Sequence, residues 1–340
     1  MKQMHRYLSP GKVPLVDVEG TVANCGIALG QVWQAALLLA CQSGRVPWWS
    51  SRPLARLMSR RTPHLMELFE GMAKGAGIHF DQLVLPQPVE QSCGCTSFAV
   101  GGSNTLDGQM ICGQTKDAPA DRHYRYLVLR LKPAGAPAAL TLTYAGMLFG
   151  HGFVRGGCAI FRNTLYCGEA QAGELPYDLW GLLGLHCSTV EEVVDLTRRY
   201  GVKEPFHCTI CDELGGIIGL ENGRGGLVIL KPRRGVYCHA NHVQSGNRLR
   251  QHEAASPEFL ACSQHRENRL RQSLDAERGH LTPQLVYAAL CDHEGMPNGV
   301  CNHQSGDFLT SASVICQPAL GRLWATRGSP CQNWPQEYVL

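Results

Sequence analysis

The residue pair Gly94-Cys95 has the composition of a self-cleavage junction, with a small residue directly before a thiol. A thiol is the best side-chain nucleophile near neutral pH, and it needs a base within hydrogen-bond reach to take its proton. Cleavage between Gly94 and Cys95 would free an α-amino group, whose reference pKa of about 8 suits that task. Cys95 would then supply both nucleophile and base. The alternative is a buried strand cysteine, a common state of free cysteine.

The segments that must position this junction differ in character. Apolar residues at helical spacing predict helices over residues 25–40 and 54–74. Pro86 and Pro88 predict an extended, exposed approach to the junction, which suits a segment that must be cut. From Cys95 onward strands dominate, mostly bounded by Gly or Pro. We predict strands at 95–100, 109–114, 126–132, 139–144, 158–163, 216–221, 227–231 and 236–239, and helices at 176–185, 189–200, 257–274 and 283–291.

Composition limits the class of protein. With 340 residues, 44% of them apolar, the chain can bury a large core. The net charge of +3 and the absence of long runs of like charge disfavour a nucleic-acid or membrane-surface partner. The first residues lack an apolar signal region, so we expect a soluble, cytoplasmic protein. Its sixteen cysteines are then expected to be reduced thiols.

Several cysteine and histidine spacings raise the alternative of a zinc site. Zinc ribbons pair two Cys-x-x-Cys knuckles in polar turns, whereas the one such spacing here lies in an apolar, strand-like stretch. The Cys-x-His pairs have one residue between them and lack the knuckle turn. We therefore predict no metal ligands. The spacings in question are Cys208/Cys211, Cys238/His239, Cys291/His293 and Cys301/His303.

Separate motifs along almost the whole chain resemble, in order, those of the isopenicillin N acyltransferase family of N-terminal-nucleophile enzymes. The opening motif has Gly-Thr at 20–21 and glycines at 26 and 30, although Val22 replaces the family's Pro. The segment at 67–78 is similar to the helix and turn before the family's cleavage site, and Gly94-Cys95 follows. The remaining matches lie at 113–117, 150–165, 239–242, 292–293, 301–303, 313–315 and 328–331.

This resemblance implies an α+β fold, the four-layer αββα sandwich of the N-terminal-nucleophile hydrolases. It implies that self-cleavage releases residues 1–94 as a mainly helical α-subunit, which stays associated with a β-subunit of residues 95–340. The expected activity is hydrolysis or transfer of an acyl group from a small amide or thioester through an S-acyl intermediate on Cys95. No metal or organic cofactor is expected, and acyl-coenzyme A is among the co-substrates that the resemblance allows.

The family motifs also suggest site residues. An amide NH₂ of Asn241 could donate to the oxyanion of a tetrahedral intermediate, although a turn-capping Asn is the alternative. Asp117 could orient the new amine, although it could equally be an acid in a surface turn. Three further residues fall in family motifs, and each could instead satisfy backbone groups in a strand or turn. They are Thr96, Asn163 and Ser313.

Departures from the family pattern leave the substrate open. Thr115 and Lys116 stand where the family often has Asn and an aromatic or acidic residue, and a lysine there would favour an anionic or polar substrate group. Ala240 replaces the usual Thr before Asn241. The alternative function is a non-catalytic or zinc-binding protein of the same fold, in which the precursor is not processed.

Overall fold

The computed structural model describes residues 12–86, 94–119, 124–302 and 308–340. Short apolar runs separated by glycines and turns form the strands, and the longer amphipathic segments form the helices. The strands are β1 (Leu15–Thr21), β2 (Gly94–Val100), β3 (Ile111–Pro119), β4 (Tyr126–Ala134), β5 (Ala139–Tyr144), β6 (His151–Val154), β7 (Cys158–Asn163), β8 (Phe206–Asp212), β9 (Ile217–Gly223), β10 (Gly226–Leu230), β11 (Val236–His239), β12 (Phe308–Gln317), β13 (Arg322–Arg327) and β14 (Gln336–Val339). The helices are α1 (Val22–Val32), α2 (Gln34–Cys41), α3 (Arg52–Arg61), α4 (Pro63–Ala76), α5 (Tyr177–Leu185), α6 (Val190–Tyr200), α7 (Asn247–Arg250), α8 (Pro257–Ala276) and α9 (Pro283–Leu290).

The strands form two sheets. One has eight strands in the order β1-β4-β5-β6-β7-β8-β9-β10, and the other has six in the order β11-β2-β3-β12-β13-β14. Neighbouring strands are antiparallel, apart from the parallel pair of β1 and β4. The strand that begins with Gly94 and Cys95 therefore lies inside the smaller sheet, between β11 and β3.

The sheets and helices form four layers, with an apolar core between each pair of neighbouring layers. Between the sheets, Val128 and Phe153 of the larger sheet share a core with Ala99 and Val314 of the smaller one. The outer face of the larger sheet is covered by α1, α4, α5 and α6. The outer face of the smaller sheet is covered by α8 and α9. The predicted αββα architecture is therefore confirmed.

One sequence prediction was wrong near the end of a strand, and one strand was not predicted. The strand predicted to end at residue 114 continues to Pro119, so Asp117 lies inside β3 and is buried, not in a surface turn. The sequence pattern does not predict β1, which precedes the helices before the junction and joins the larger sheet as the edge partner of β4. Within β1, Val18 is the one fully buried residue, which explains why its apolar signal is weak.

The helix predicted over residues 25–40 is a bent pair, α1 and α2, with 81° between the two axes. Within the part of the chain that the structure describes, no single helix has both the length and the apolar character to cross a membrane, although this bent pair would qualify on length and composition.

Glycines allow α1 and α4 to approach backbone to backbone. A Cβ added at Gly26 would overlap the Leu68 carbonyl oxygen and lie 2.8 Å from the Gly71 Cα. A Cβ added at Gly75 would overlap the Ile27 carbonyl oxygen. These contacts give a physical reason for the glycine spacing in two of the motifs.

Replacing Gly26 by alanine is expected to destabilise the fold by about 1–3 kcal/mol, because the added methyl group meets backbone atoms that cannot rotate away. Chemical denaturation of the two proteins measures the effect. Gly246→Ala is the matched control, because a Cβ there meets no atom within 4 Å. Equal stability of the Gly26→Ala protein and the parent would contradict the close contact.

Candidate active site

Cys95 is the second residue of β2 and is fully buried. Successive residues of β2 point to opposite faces of the sheet. Ala99 belongs to the core between the sheets, and the Ser97 hydroxyl is 2.8 Å from the Thr209 hydroxyl on the opposite sheet. Cys95 shares that face by alternation, whereas Thr96 and Phe98 face α8. The thiol therefore belongs to the space between the sheets, at the start of a central strand.

Asn241, just after β11, binds the backbone of Cys95. Its Oδ1 accepts hydrogen bonds from the Cys95 N–H at 2.8 Å and from the Arg266 Nη2 at 2.9 Å. Its Nδ2 donates to the Thr164 carbonyl oxygen at 3.1 Å. These three bonds fix the amide orientation, so the oxygen, and not the predicted NH₂ group, faces Cys95. The bond that joins Asn241 to Cys95 ends on the nitrogen atom that cleavage would free.

Asn163, the last residue of β7, reaches Cys95 from the other sheet. Its Nδ2 donates to the carbonyl oxygens of Cys95 at 3.0 Å and of His239 at 3.2 Å. One side chain thus joins the larger sheet to the start of β2 and the end of β11. Of the residues predicted from motifs, Asn163 and Asn241 both bind Cys95 directly.

Arg266 of α8 also binds Cys95, and sequence reasoning does not point to it. Its Nη1 donates to the Cys95 carbonyl oxygen at 3.0 Å and to the Thr96 Oγ1 at 2.7 Å. Its side chain is 1% exposed. A signal was present in the sequence, because Arg266 falls on the stripe of α8 that faces the core. That stripe is Ser263, Arg266, Glu267, Leu270 and Leu274.

Asp117 provides the carboxylate of the site. It pairs with Gly94 across the β2–β3 ladder, accepts a hydrogen bond from the Thr310 hydroxyl at 2.7 Å and lies 3.9 Å from the Arg266 Nη1. Burial raises the pKa of Asp117, and the Arg266 charge opposes that effect. Burial also disfavours the charged form of Arg266, but Asp117, Cys262 and Cys95 together outweigh this, and the pKa of Arg266 is raised. The two groups therefore form a buried pair beside the junction.

The other predicted residues lie on neighbouring strands. Lys116 is opposite Cys95 in the ladder, so it shares the face between the sheets, and it is 1% exposed. Thr115 is opposite Thr96 and is buried. Ser313 lies one strand further away on β12, and its hydroxyl is 2.7 Å from the Thr326 hydroxyl. Lys116 and Thr115 thus flank the junction, whereas Ser313 does not reach it.

A buried histidine pair supports the strand end that carries Asn241. The rings of His207 and His239 are parallel, with centroids 3.4 Å apart. The His239 Nε2 is 2.7 Å from the Glu221 Oε1, and burial holds the pKa of His207 well below its ordinary value. The next residues are held as well, because the Asn241 N–H donates to the Ser263 Oγ at 2.7 Å.

Gly94 has no room for a side chain. A Cβ there would overlap the Asp117 Oδ2 and lie 3.2 Å from the Arg266 Nη2.

We expect Gly94→Ala to slow cleavage at the junction about 10²-fold, because displacing the reacting bond by about 1 Å has effects of that size. Denaturing mass spectrometry over time measures the rate. Gly101→Ala is the control, since its Cβ would be 3.5 Å from the nearest atom. Unchanged cleavage of the Gly94→Ala chain would contradict the tight packing.

Two of the zinc-like spacings cannot act as metal sites. Cys208 belongs to the core under the helices and Cys211 to the core between the sheets, so their thiols point to opposite faces of β8. Cys238 likewise faces α8, opposite to His239 on the same strand. His303 lies outside the described residues, as do Pro88 and the residues immediately before Gly94.

The family comparison adds an independent finding. The sequence profile of the family described as acyl-coenzyme A:6-aminopenicillanic acid acyl-transferase matches residues 103–332. The chain belongs to this acyltransferase family. The match covers Asp117, Asn163, Asn241 and Arg266, and it begins after Cys95. A search of curated proteins gives no match.

Solved structures resemble this acyltransferase-family member at low identity. A mutant conjugated bile acid hydrolase from Clostridium perfringens is 13% identical with a TM-score of 0.48, covering 72% of this chain and 97% of its own. The Caenorhabditis elegans ortholog of N-acylethanolamine-hydrolyzing acid amidase is 15% identical with a TM-score of 0.48, covering 72% and 100%. Penicillin V acylase from Agrobacterium tumefaciens is 13% identical with a TM-score of 0.45, covering 68% and 83%. These values are too low to transfer a substrate.

Proposed function

We propose that the protein is an autoproteolytic cysteine N-terminal-nucleophile enzyme that cleaves or transfers the acyl group of a small amide or thioester. The observation that carries this proposal is the hydrogen bond from the Cys95 N–H to the Asn241 Oδ1. It binds the nitrogen that would become the α-amine, at a position where an ordinary strand residue would pair only with backbone. Membership of an acyltransferase family supports the reaction class.

Self-cleavage would begin with attack of the Cys95 sulfur on the Gly94 carbonyl carbon. A C–S bond forms, the Gly94–Cys95 C–N bond breaks, and the departing nitrogen takes up the thiol proton. Water then hydrolyses the thioester, which leaves a carboxylate on Gly94 and a free thiol and amine on Cys95. Glycine at position 94 suits the step, because Asp117 occupies the space of a larger residue.

Catalysis would use the freed amine as the base for the neighbouring thiol. The thiolate attacks the acyl donor, the C–N or C–S bond of the donor breaks, and the ammonium group returns the proton to the leaving group. Water or an amine then attacks the S-acyl intermediate and releases Cys95. Asn241 orients the amine by accepting a hydrogen bond from it, so that the lone pair of the amine nitrogen can face the sulfur.

Nearby charges favour the neutral amine and the thiolate of Cys95. Arg266 and Lys116 are both buried close to Cys95, with Asp117 as the neighbouring carboxylate. A surplus of positive charge lowers the pKa of an ammonium group and of a thiol. The site would therefore keep a larger fraction of the amine in its basic form near neutral pH.

Both parts of the chain would remain associated after cleavage. Seven residues of β1 pair with β4, and α1 and α4 pack on the same sheet. Separating them would expose this core to water, at a cost of about 25 cal/mol for each Å² of apolar surface. The proposed α- and β-subunits would accordingly elute together in native gel filtration.

The proposal also concerns the class of acyl donor and the group that accepts the acyl. The reaction needs no metal or organic cofactor, and acyl-coenzyme A is one candidate donor because the family name contains that substrate. Lys116 favours a donor with an anionic or polar group near the reacting carbonyl. A cytoplasmic location stays a prediction. The alternative, an unprocessed binding protein, predicts an intact junction.

The test is to trap the acyl-enzyme. Purified protein is mixed with acyl thioesters and small amides, quenched in acid and analysed by denaturing mass spectrometry. We expect an added acyl mass on the fragment that begins at Cys95, removed by hydroxylamine. Adding an amine then separates transfer from hydrolysis by the product formed. Acylation that persists in a Cys95→Ala chain, or none with any donor in a processed chain, would contradict the proposal.

Asn241→Asp tests the role of the amide oxygen. The variant keeps an oxygen acceptor but places a negative charge beside the amine, which stabilises the ammonium form and raises the pKa of the amine. The acid limb of the kcat/KM profile should therefore move to higher pH, because activity needs the neutral amine. An unshifted profile in a folded, processed variant would show that Asn241 does not contact the base.

A further inference from the structure

A second cluster of reactive side chains lies near the carboxyl-terminal end of the chain. It consists of His293 in the loop after α9, Cys301 before β12, and Cys331 in the 3₁₀ turn Pro330–Gln332. Their ligand atoms all lie within 4.8 Å of one another, and the two sulfur atoms are 3.6 Å apart. None of these residues contributes to the active site described above.

The separation of the sulfur atoms suits a tetrahedral metal site. Zinc–sulfur bonds of about 2.3 Å place two sulfur ligands of a tetrahedron about 3.7 Å apart. A disulfide would need a separation of about 2.05 Å. Cysteine thiolate and histidine imidazole are the ligands typical of structural zinc sites.

A fourth ligand is available from Cys291, the residue that ends α9. It lies two residues before His293, and the helix that it ends contacts the turn that contains Cys331 through the Tyr287 hydroxyl and the Pro330 carbonyl oxygen. Its sulfur is not among the ligand atoms that lie within 4.8 Å of one another, so it would have to move to reach the metal. Structural zinc sites commonly have four protein ligands in a Cys₃His set. The four residues come from segments on either side of β12.

We propose that His293, Cys301 and Cys331, with Cys291 as the fourth ligand, form a structural zinc site. The sequence spacing alone favours no metal, because Cys291 and His293 lack the knuckle turn. The fold supplies Cys331, which is distant in sequence and completes the set. This proposal does not depend on the chemistry proposed for Cys95.

The zinc site would stabilise the part of the active site that contains Asp117. The residue after Cys301, Asn302, donates its N–H to the Thr310 Oγ1 at 2.8 Å, and the Thr310 hydroxyl donates to Asp117 at 2.7 Å. Nearby, the Tyr287 hydroxyl lies against the carbonyl oxygens of Pro330 and Asn333. Zinc would tie the loop after α9 to the turn that contains Cys331, and so hold Thr310 in place.

Metal analysis of the full chain, purified under reducing conditions without chelator, tests the proposal. We expect about one zinc ion per chain. The double variant Cys301→Ser/Cys331→Ser should lose at least about nine-tenths of that zinc, because two of four ligands are removed. Cys41→Ser is the control, as Cys41 lies at the end of α2 and is half-buried. Its zinc content should equal that of the parent.

Cobalt binding gives a second readout that needs no variant. The chelator-treated parent chain should bind Co²⁺ with thiolate-to-cobalt charge-transfer absorption and the visible bands of a tetrahedral ion, and zinc should displace it. A chain that lacks zinc and gives no thiolate band would overturn the proposal. So would equal zinc content in the double variant, or a Cys301–Cys331 disulfide in the reduced preparation.

Discussion

Replacing Cys95 by alanine is expected to leave one uncleaved chain with no acyl-transfer or hydrolytic activity. The change removes the thiol that directly follows the proposed scissile bond, and neighbouring side chains on β2 offer hydroxyl groups, which are weaker nucleophiles than a thiolate. Loss of rate should reach the level of the uncatalysed reaction. Denaturing electrophoresis measures cleavage, and acyl release measures turnover.

Cys112→Ala is the matched control for this result. Cys112 is a fully buried thiol on the neighbouring strand β3, on the face between the sheets. The variant therefore removes a sulfur atom from a similar environment. We expect the control to be processed and active, with some loss of stability. A cleaved, active Cys95→Ala chain would refute the assigned nucleophile.

Replacing Arg266 by methionine is expected to lower the rates of processing and turnover by about 10²–10³-fold, the size seen when one charge-stabilising donor is removed. The guanidinium group fixes three oxygen atoms at once, on Cys95, Thr96 and Asn241. Single-turnover acylation of the processed enzyme separates this effect from binding. Arg266→Lys should recover little, because an ammonium group cannot make the same fork of bonds.

A stability measurement distinguishes positioning from simple folding effects. Arg266→Met leaves Asp117 buried without its ion pair, which costs about 3–5 kcal/mol. The double variant Arg266→Met/Asp117→Asn should regain most of that stability, since no buried charge is left unpaired. Its activity should stay low. Full recovery of activity together with stability would mean that Arg266 acts only through the fold.

The layered fold and most of the candidate site could be predicted from the family motifs in the sequence, although the strand pattern alone does not give the fold. The positions of Cys95, Asp117, Asn163 and Asn241 follow from motifs that are separated along the chain but meet at one end of the smaller sheet. What motifs do not reveal is orientation. Whether the oxygen or the nitrogen of Asn241 faces Cys95 depends on Thr164 and Arg266, which come from other elements.

The remaining gaps have physical causes. Arg266 looks like one more charged residue in a polar helix until its position on the buried stripe of α8 is considered. The edge strand β1 buries only Val18 fully, so its pattern is faint. The cluster of His293, Cys301 and Cys331 depends on a long-range contact that no local spacing encodes.

The mass of the purified protein under denaturing conditions tests the central claim most directly. The proposal predicts two chains, residues 1–94 and 95–340, which account for about 10 and 27 kDa of the 37.2 kDa total, with the larger beginning at Cys95. A single 37.2 kDa chain that stays intact on incubation would contradict it.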